Sequence, residues 1–170
     1  MGQAVAAHTF HAPESVGSRC YECHMPHTTY GLLGAVRTHR VTVQDVRETV
    51  ATGRPNACNL CHLDQPLEWT ASKLSAWYGQ SKWQDLDREN ASVAVGVVGI
   101  LRGDAAQRAL VAWAMGRPEA HAAAGSAWMA PYLSIYLDDP YSAVRYIAAE
   151  ALAGIPNFGP LDFDYIALEA

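Results

Sequence analysis

The sequence predicts a mainly α-helical protein in two parts: residues 1–85 with little regular structure, then residues 86–170 built of short packed helices. Three observations predict it. From about Asn90 onward apolar residues recur at helical spacing, alanine dominates, and Gly, Pro and Asp breaks divide the run into segments. Before residue 80 only two short stretches carry that period, in a region rich in His, Pro and Thr. No alternating apolar–polar run argues for a strand.

The first ten residues show no helix pattern. The first helical stretch has Thr42 as its N-cap, Val43, Val46 and Val50 on one side, and Gly53 and Pro55 as stop signals. A second runs from Thr70, with Leu74, Trp77 and Tyr78 at i, i+3, i+4, and ends at Gly79. Four segments follow in the second part. Ala91 to Leu101 and Ala105 to Met115 are the first two, and Ala127 to Leu137 is the third, with a stripe of Trp128, Met129, Tyr132, Leu133 and Tyr136. In the fourth, Asp139 can cap, Pro140 suits the first helical position, and Val144, Ile147, Ala148, Ala151, Leu152 and Ile155 follow at the 3.6-residue period up to Gly154–Pro156. The third and fourth pattern as one HEAT-type helical pair, which is too few for a solenoid and predicts a small helical cap on the first part. The tail from Asn157 carries Phe158, Phe163, Tyr165 and Ile166 without a complete helix. It is expected either to dock on another chain or to fold back on its own cap.

Bulk properties narrow the function. A net charge of −5, with 12 Lys and Arg spread along the chain, offers no basic stripe for phosphates, so nucleic acid is not an expected partner. The longest apolar run, Val93 to Leu101, is broken by Gly96 and Gly99, so no transmembrane segment is expected. The start, MGQAVAAHTFHAP, lacks the basic and apolar regions of a secretory signal, and an exported protein would correspond to a mature chain or a fragment.

All four cysteines fall in two pairs, Cys20-Tyr21-Glu22-Cys23-His24 and Cys58-Asn59-Leu60-Cys61-His62. Both have the form C-x-x-C-H, the attachment signature of a c-type haem. Two thiols three residues apart can each form a thioether to one macrocycle, and the next residue then aims its imidazole at the iron. Two covalently attached haem c groups would also supply the interior that two short helices cannot. A Cys₄ zinc site is the competing reading, yet 34 residues lie between Cys23 and Cys58, against roughly 15 to 20 in zinc ribbons of this form. Zinc also leaves the histidine after each pair unexplained. A redox dithiol needs one pair beside a βαβ pattern, and none is present.

With His24 and His62 as proximal ligands, five histidines remain: His8, His11, His27, His39 and His121. His27 follows His24 too closely to reach around the same haem, though a neighbouring haem is open to it. His39 lies 15 residues after His24 and 19 before Cys58, slack enough to wrap a macrocycle edge from either side. His11 lies nine residues before Cys20 in a Pro-containing stretch that could cross the second haem. His11 and His39 are therefore the expected distal ligands, and His121, in the alanine-rich half, is expected to be solvated.

The strings HTFHAPESVGSRCYECHMPHTTYGLLGAVRTHR and GRPNACNLCH, the Trp-Tyr-Gly helix end and the HEAT-like tail resemble the C-terminal part of multihaem c-type cytochromes of the cytochrome c554 and nitrite-reductase-like broad class. The resemblance implies bis-histidine irons; with both axial positions filled no site is left for substrate, so electron transfer between redox protein partners is expected rather than catalysis, and because two haems carry charge only a short way a longer haem chain is expected, as a homo-oligomer, polymer or larger multihaem complex. Further upstream motifs of that class are absent here. Covalent haem attachment implies a periplasmic or extracellular location. Two other readings stay open: a haem enzyme or gas sensor with one open iron, and a HEAT-type interaction module stapled by its haems.

Overall fold

Residues 2–81, 83 and 85–167 are described by the computed structural model. Among them the protein is mainly α, with ten α-helices, three short 3₁₀ turns and one two-stranded sheet. The first part holds α1 (Gly2–Thr9), α2 (Cys20–His24), the antiparallel strands β1 (His27–Gly31) and β2 (Gly34–Arg37), α3 (Val46–Thr52) and α4 (Leu67–Tyr78). The second holds α5 (Arg88–Ser92), α6 (Val95–Arg102), α7 (Ala105–Met115), α8 (Pro118–Ala124), α9 (Met129–Ile135) and α10 (Ser142–Ala153).

Several boundaries follow the sequence signals. α7 spans the expected Ala105 to Met115, and its start is fixed by a reciprocal cap between Asp104 and Gln107. α4 ends at Gly79, whose φ of 65° is the left-handed turn that glycine adopts without penalty. Its start lies three residues earlier than expected, at Leu67 behind Pro66.

Other expectations are corrected, each by a competing bond. Asp45, not Thr42, caps α3, accepting from the Arg47 amide at 2.8 Å. The Ala91 to Leu101 segment is two helices rather than one, because the Val95 and Gly96 amides turn to the Gln65 and Leu63 carbonyls. At α10 the Asp139 carboxylate accepts from the Tyr141 amide at 2.8 Å and takes both Arg108 donors, so the helix opens at Ser142 rather than Pro140. Elements not anticipated as such are α1, α2, α8 and, last, the β1–β2 hairpin. Its turn, Leu32–Leu33, has φ of 52° and 60°, a left-handed pair normally filled by Asn and Gly.

One apolar cluster unites the two parts. Leu60 and Leu63, from the second cysteine motif and the loop behind it, are buried with Ile100 of α6, Met115 of α7, Leu133 of α9 and Val144 and Ile147 of α10. A smaller cluster joins Val46 of α3 to Leu67, Ala71 and Leu74 of α4. The core therefore crosses the division expected near residue 85, and the helical part forms the wall against which the motif loops are held. Polar links run the same way, from Arg117 to Glu22 at 3.2 Å and from Gln107 to the Gly53 carbonyl at 3.1 Å.

The tail folds back. Buried Arg145 donates to the carbonyls of Tyr165 at 2.8 Å and Ile166 at 3.4 Å, and the Tyr165 ring meets Tyr146 edge-on at 4.9 Å. Residues 168–170 of that tail lie outside the described residues. No helix among the described residues is long and apolar enough to cross a membrane.

Candidate haem-binding site

Each motif is a tight turn anchored by its own variable residues. In the first, α2 carries Cys20, Cys23 and His24, and Glu22 pairs with Arg37 at 2.8 Å and Arg117 at 3.2 Å. Burial alone would push the Glu22 carboxyl up, but the two guanidinium groups outweigh it and hold the pKa below its ordinary value. Arg37 also donates to the carbonyls of Tyr21 and Met25, at either end of the motif. In the second motif a 3₁₀ turn over Cys58–Leu60 buries Asn59 and Leu60. The Asn59 amide reaches the His62 and Gln65 carbonyls, and its oxygen accepts from Thr70 of α4 at 2.7 Å. Gln44 joins the motifs: its amide nitrogen donates to the Cys23 carbonyl at 2.6 Å, and its oxygen accepts from the Ala57 amide at 2.8 Å.

A cavity of about 600 Å³ opens between the two parts. Cys23, Cys58, Cys61, His11 and His62 line it, with Trp69, Trp77, Ala122 and Ala123 adding mostly apolar surface. Such a volume and lining suit a large apolar cofactor. The thiols facing it are poor thiolates. Burial pushes Cys58 up to about 12 and Cys61 up to about 11, and Cys23 is raised for the same reason. Among the described residues no three His, Cys, Asp or Glu side chains converge as a metal cluster. A haem iron asks only two axial ligands of the protein.

Two pairs of imidazoles lie beside each other. The His8 and His24 rings have centroids 6.1 Å apart and planes within 8°. Those of His11 and His62 are 6.3 Å apart at 37°. With metal–imidazole bonds of about 2 Å on each side, plus half of each ring, two axial ligands of one iron stand about 6 Å apart. The ring protons are placed accordingly. His24 donates from Nδ1 to the Thr42 carbonyl at 2.7 Å, and His11 from Nδ1 to the Thr9 carbonyl at 2.6 Å, which leaves Nε2 of each ring as the free base. Burial, with His11 and Lys73 nearby, lowers the pKa of His62.

Of the sequence-predicted residues the structure gathers His11, Cys23, Cys58, Cys61 and His62 at the cavity, sets His24 outside its lining beside His8, leaves Cys20 exposed and leaves out His39. That histidine is exposed beyond β2, and the place opposite His24 is taken by His8. Chain slack, on which His39 was chosen, limits reach but not direction. His27 packs on Trp113 at 4.5 Å, and His121 is half-buried rather than solvated, donating from Nε2 to the Met115 carbonyl at 2.6 Å. Gly17 was missed as well. A Cβ there would come within 2.4 Å of the His11 ring, so only glycine leaves that imidazole its place.

No protein-family model matches the chain, and no curated protein or solved structure matches it.

Proposed function

We propose that the chain is a dihaem c-type cytochrome that transfers electrons, with His8 and His24 as axial ligands of one iron and His11 and His62 of the other. The observation that carries this reading is the pairing of each C-x-x-C-H histidine with a second imidazole at about 6 Å. Cys20 and Cys23 would hold one macrocycle by thioethers, Cys58 and Cys61 the other. A bound haem supplies a one-electron couple. The chain's residues do the rest: Thr9 and Thr42 fix the imidazole tautomers, and Gln44 ties one motif to the other. Histidine at both axial positions gives a lower potential than histidine with methionine.

An enzyme or gas sensor needs an iron with a free position, and the paired histidines argue against one. Electron transfer requires redox protein partners, and a homo-oligomer, polymer or larger multihaem complex would extend the path beyond two haems. Haem attachment of this type places the protein in the periplasm or outside the cell.

The test is made on protein expressed with a haem-attachment apparatus. Intact mass should show two haem additions that survive denaturation, and the reduced protein should not bind carbon monoxide. His8→Ala and His11→Ala should each bind one equivalent, whereas His39→Ala should bind none. A bare-chain mass, bound zinc, or a closed iron in both of the first two variants refutes the reading.

A further inference from the structure

We propose that Phe10 is a positioning residue that holds the sixth ligands of both irons at once, through the stack of its ring on Trp77. The inference rests on the ligand assignment above and goes beyond it. Both distal histidines belong to one short segment: His8 in the last turn of α1 and His11 just past its end. On an unbroken helix, side chains three residues apart share a face. Here the chain leaves the helix between them, with Phe10 at a φ of 57°, and the two imidazoles meet different motifs.

A bulky residue in the left-handed region is strained, and helices that end this way usually place glycine there. Burial does not explain the choice, because Phe10 is 46% exposed. Its contacts do. The ring lies parallel to Trp77, with centroids 4.7 Å apart and planes within 6°, and edge-on to Tyr78 at 5.7 Å. The Tyr78 hydroxyl donates to the His8 carbonyl at 2.7 Å. The end of α4 thus grips residues 8–10, while near its start Trp69 packs against His62 at 4.8 Å. One rigid helix therefore sets the distance between the distal segment and the second motif. Between the two ligands Thr9 is anchored to Ser18 at 3.2 Å, and the Phe10 ring is the contact that ties the segment to α4, so its loss loosens both.

Phe10→Gly removes the ring in a residue that suits the left-handed backbone, and Phe10→Leu separates loss of the stack from the added backbone freedom of glycine. Trp77 is left unchanged because it lines the cavity. In the full haem-loaded chain, the reduced parent should bind no carbon monoxide, and Phe10→Gly should rise toward two equivalents with both sites opening in parallel. Amide hydrogen exchange across residues 2–11 should quicken in the same variant. Phe10→Tyr should restore the closed state, and Phe10→Leu, which keeps an apolar side chain without the stack, should open both irons partly. A closed Phe10→Gly or Phe10→Leu, opening of one iron only, or equal opening in Phe10→Tyr overturns the proposal. A parent that lacks haem or binds carbon monoxide refutes the ligand assignment itself, which separates the two failures.

Discussion

Replacing Gly17 by alanine should break one axial bond and leave the other iron untouched. The added Cβ would lie 2.4, 2.7 and 2.8 Å from three atoms of the His11 ring. To reach ordinary contact at 3.4 Å, the nearest atom must retreat by about 1 Å. The ring has little freedom to do so, because Nδ1 is held by the Thr9 carbonyl at 2.6 Å and Ser18 ties the neighbouring carbonyls of His11 and Ala12. Overpacking of this kind costs about 1–3 kcal/mol, and a 1 Å retreat is half the length of a metal–imidazole bond of about 2 Å. Loss of ligation relieves the clash more easily than movement of the backbone. The reduced variant should therefore bind one equivalent of carbon monoxide, with two haems still attached by mass and helical content unchanged by circular dichroism. Combining Gly17→Ala with His11→Ala should add nothing to His11→Ala alone, as expected of two changes acting on one bond. A Gly17→Ala protein that stays closed to carbon monoxide would show that His11 is not the group held there.

Two further outcomes follow from groups away from the ligands. His27 is pushed down to about 4 by burial first and by Arg37 and Arg117 next, with Glu22 and Glu119 opposing, so the folded protein keeps it neutral where the unfolded chain would protonate it. Its contribution is full above about pH 6.5 and is lost as pH falls toward about 4. Thermal unfolding measured across that window should fall with acid, and His27→Gln should flatten the slope; an unchanged slope removes His27 as its source. Arg145→Met should release the tail, since the Arg145 guanidinium serves the Asp139, Tyr165 and Ile166 carbonyls together. Its loss should cost about 1–3 kcal/mol, and limited proteolysis should then cut within residues 157–167 before it reaches α10; equal protection would show that the Tyr146–Tyr165 contact suffices.

Much of the helical part was legible because its signals are local. α7, the end of α4 and the end of α10 each carry a cap or a breaker within a residue or two of the boundary. Where a signal had two users, the reading failed. Asp139 is a good cap by composition, but Arg108 claims its carboxylate, and α10 begins later. The amides of Val95 and Gly96 belong by period to one long helix, but the loop behind the second motif takes them. The hairpin was invisible for the opposite reason: its turn uses two leucines where turn chemistry asks for Asn and Gly, and Leu32 is fully exposed.

The candidate site divides along the same line. Its proximal half is written in two five-residue strings, because two attachments and a ligand on one turn demand fixed spacing. The distal half is written in HTFH, and that string has two readings. As an extended stretch it offers His11 and leaves His8 pointing elsewhere; as the end of a helix it offers both. An eight-residue helix is marginal by itself, and α1 has no apolar stripe that would announce it in sequence. What holds it is distant: the Tyr78 hydroxyl on the His8 carbonyl, 70 residues away, and the Trp77 ring under Phe10. Sequence spacing could therefore weigh His39 as highly as His8, since both have the reach. In the proposed assignment the choice between them falls to α4, whose two aromatic residues at one end are read by local pattern as core and instead pack against Phe10.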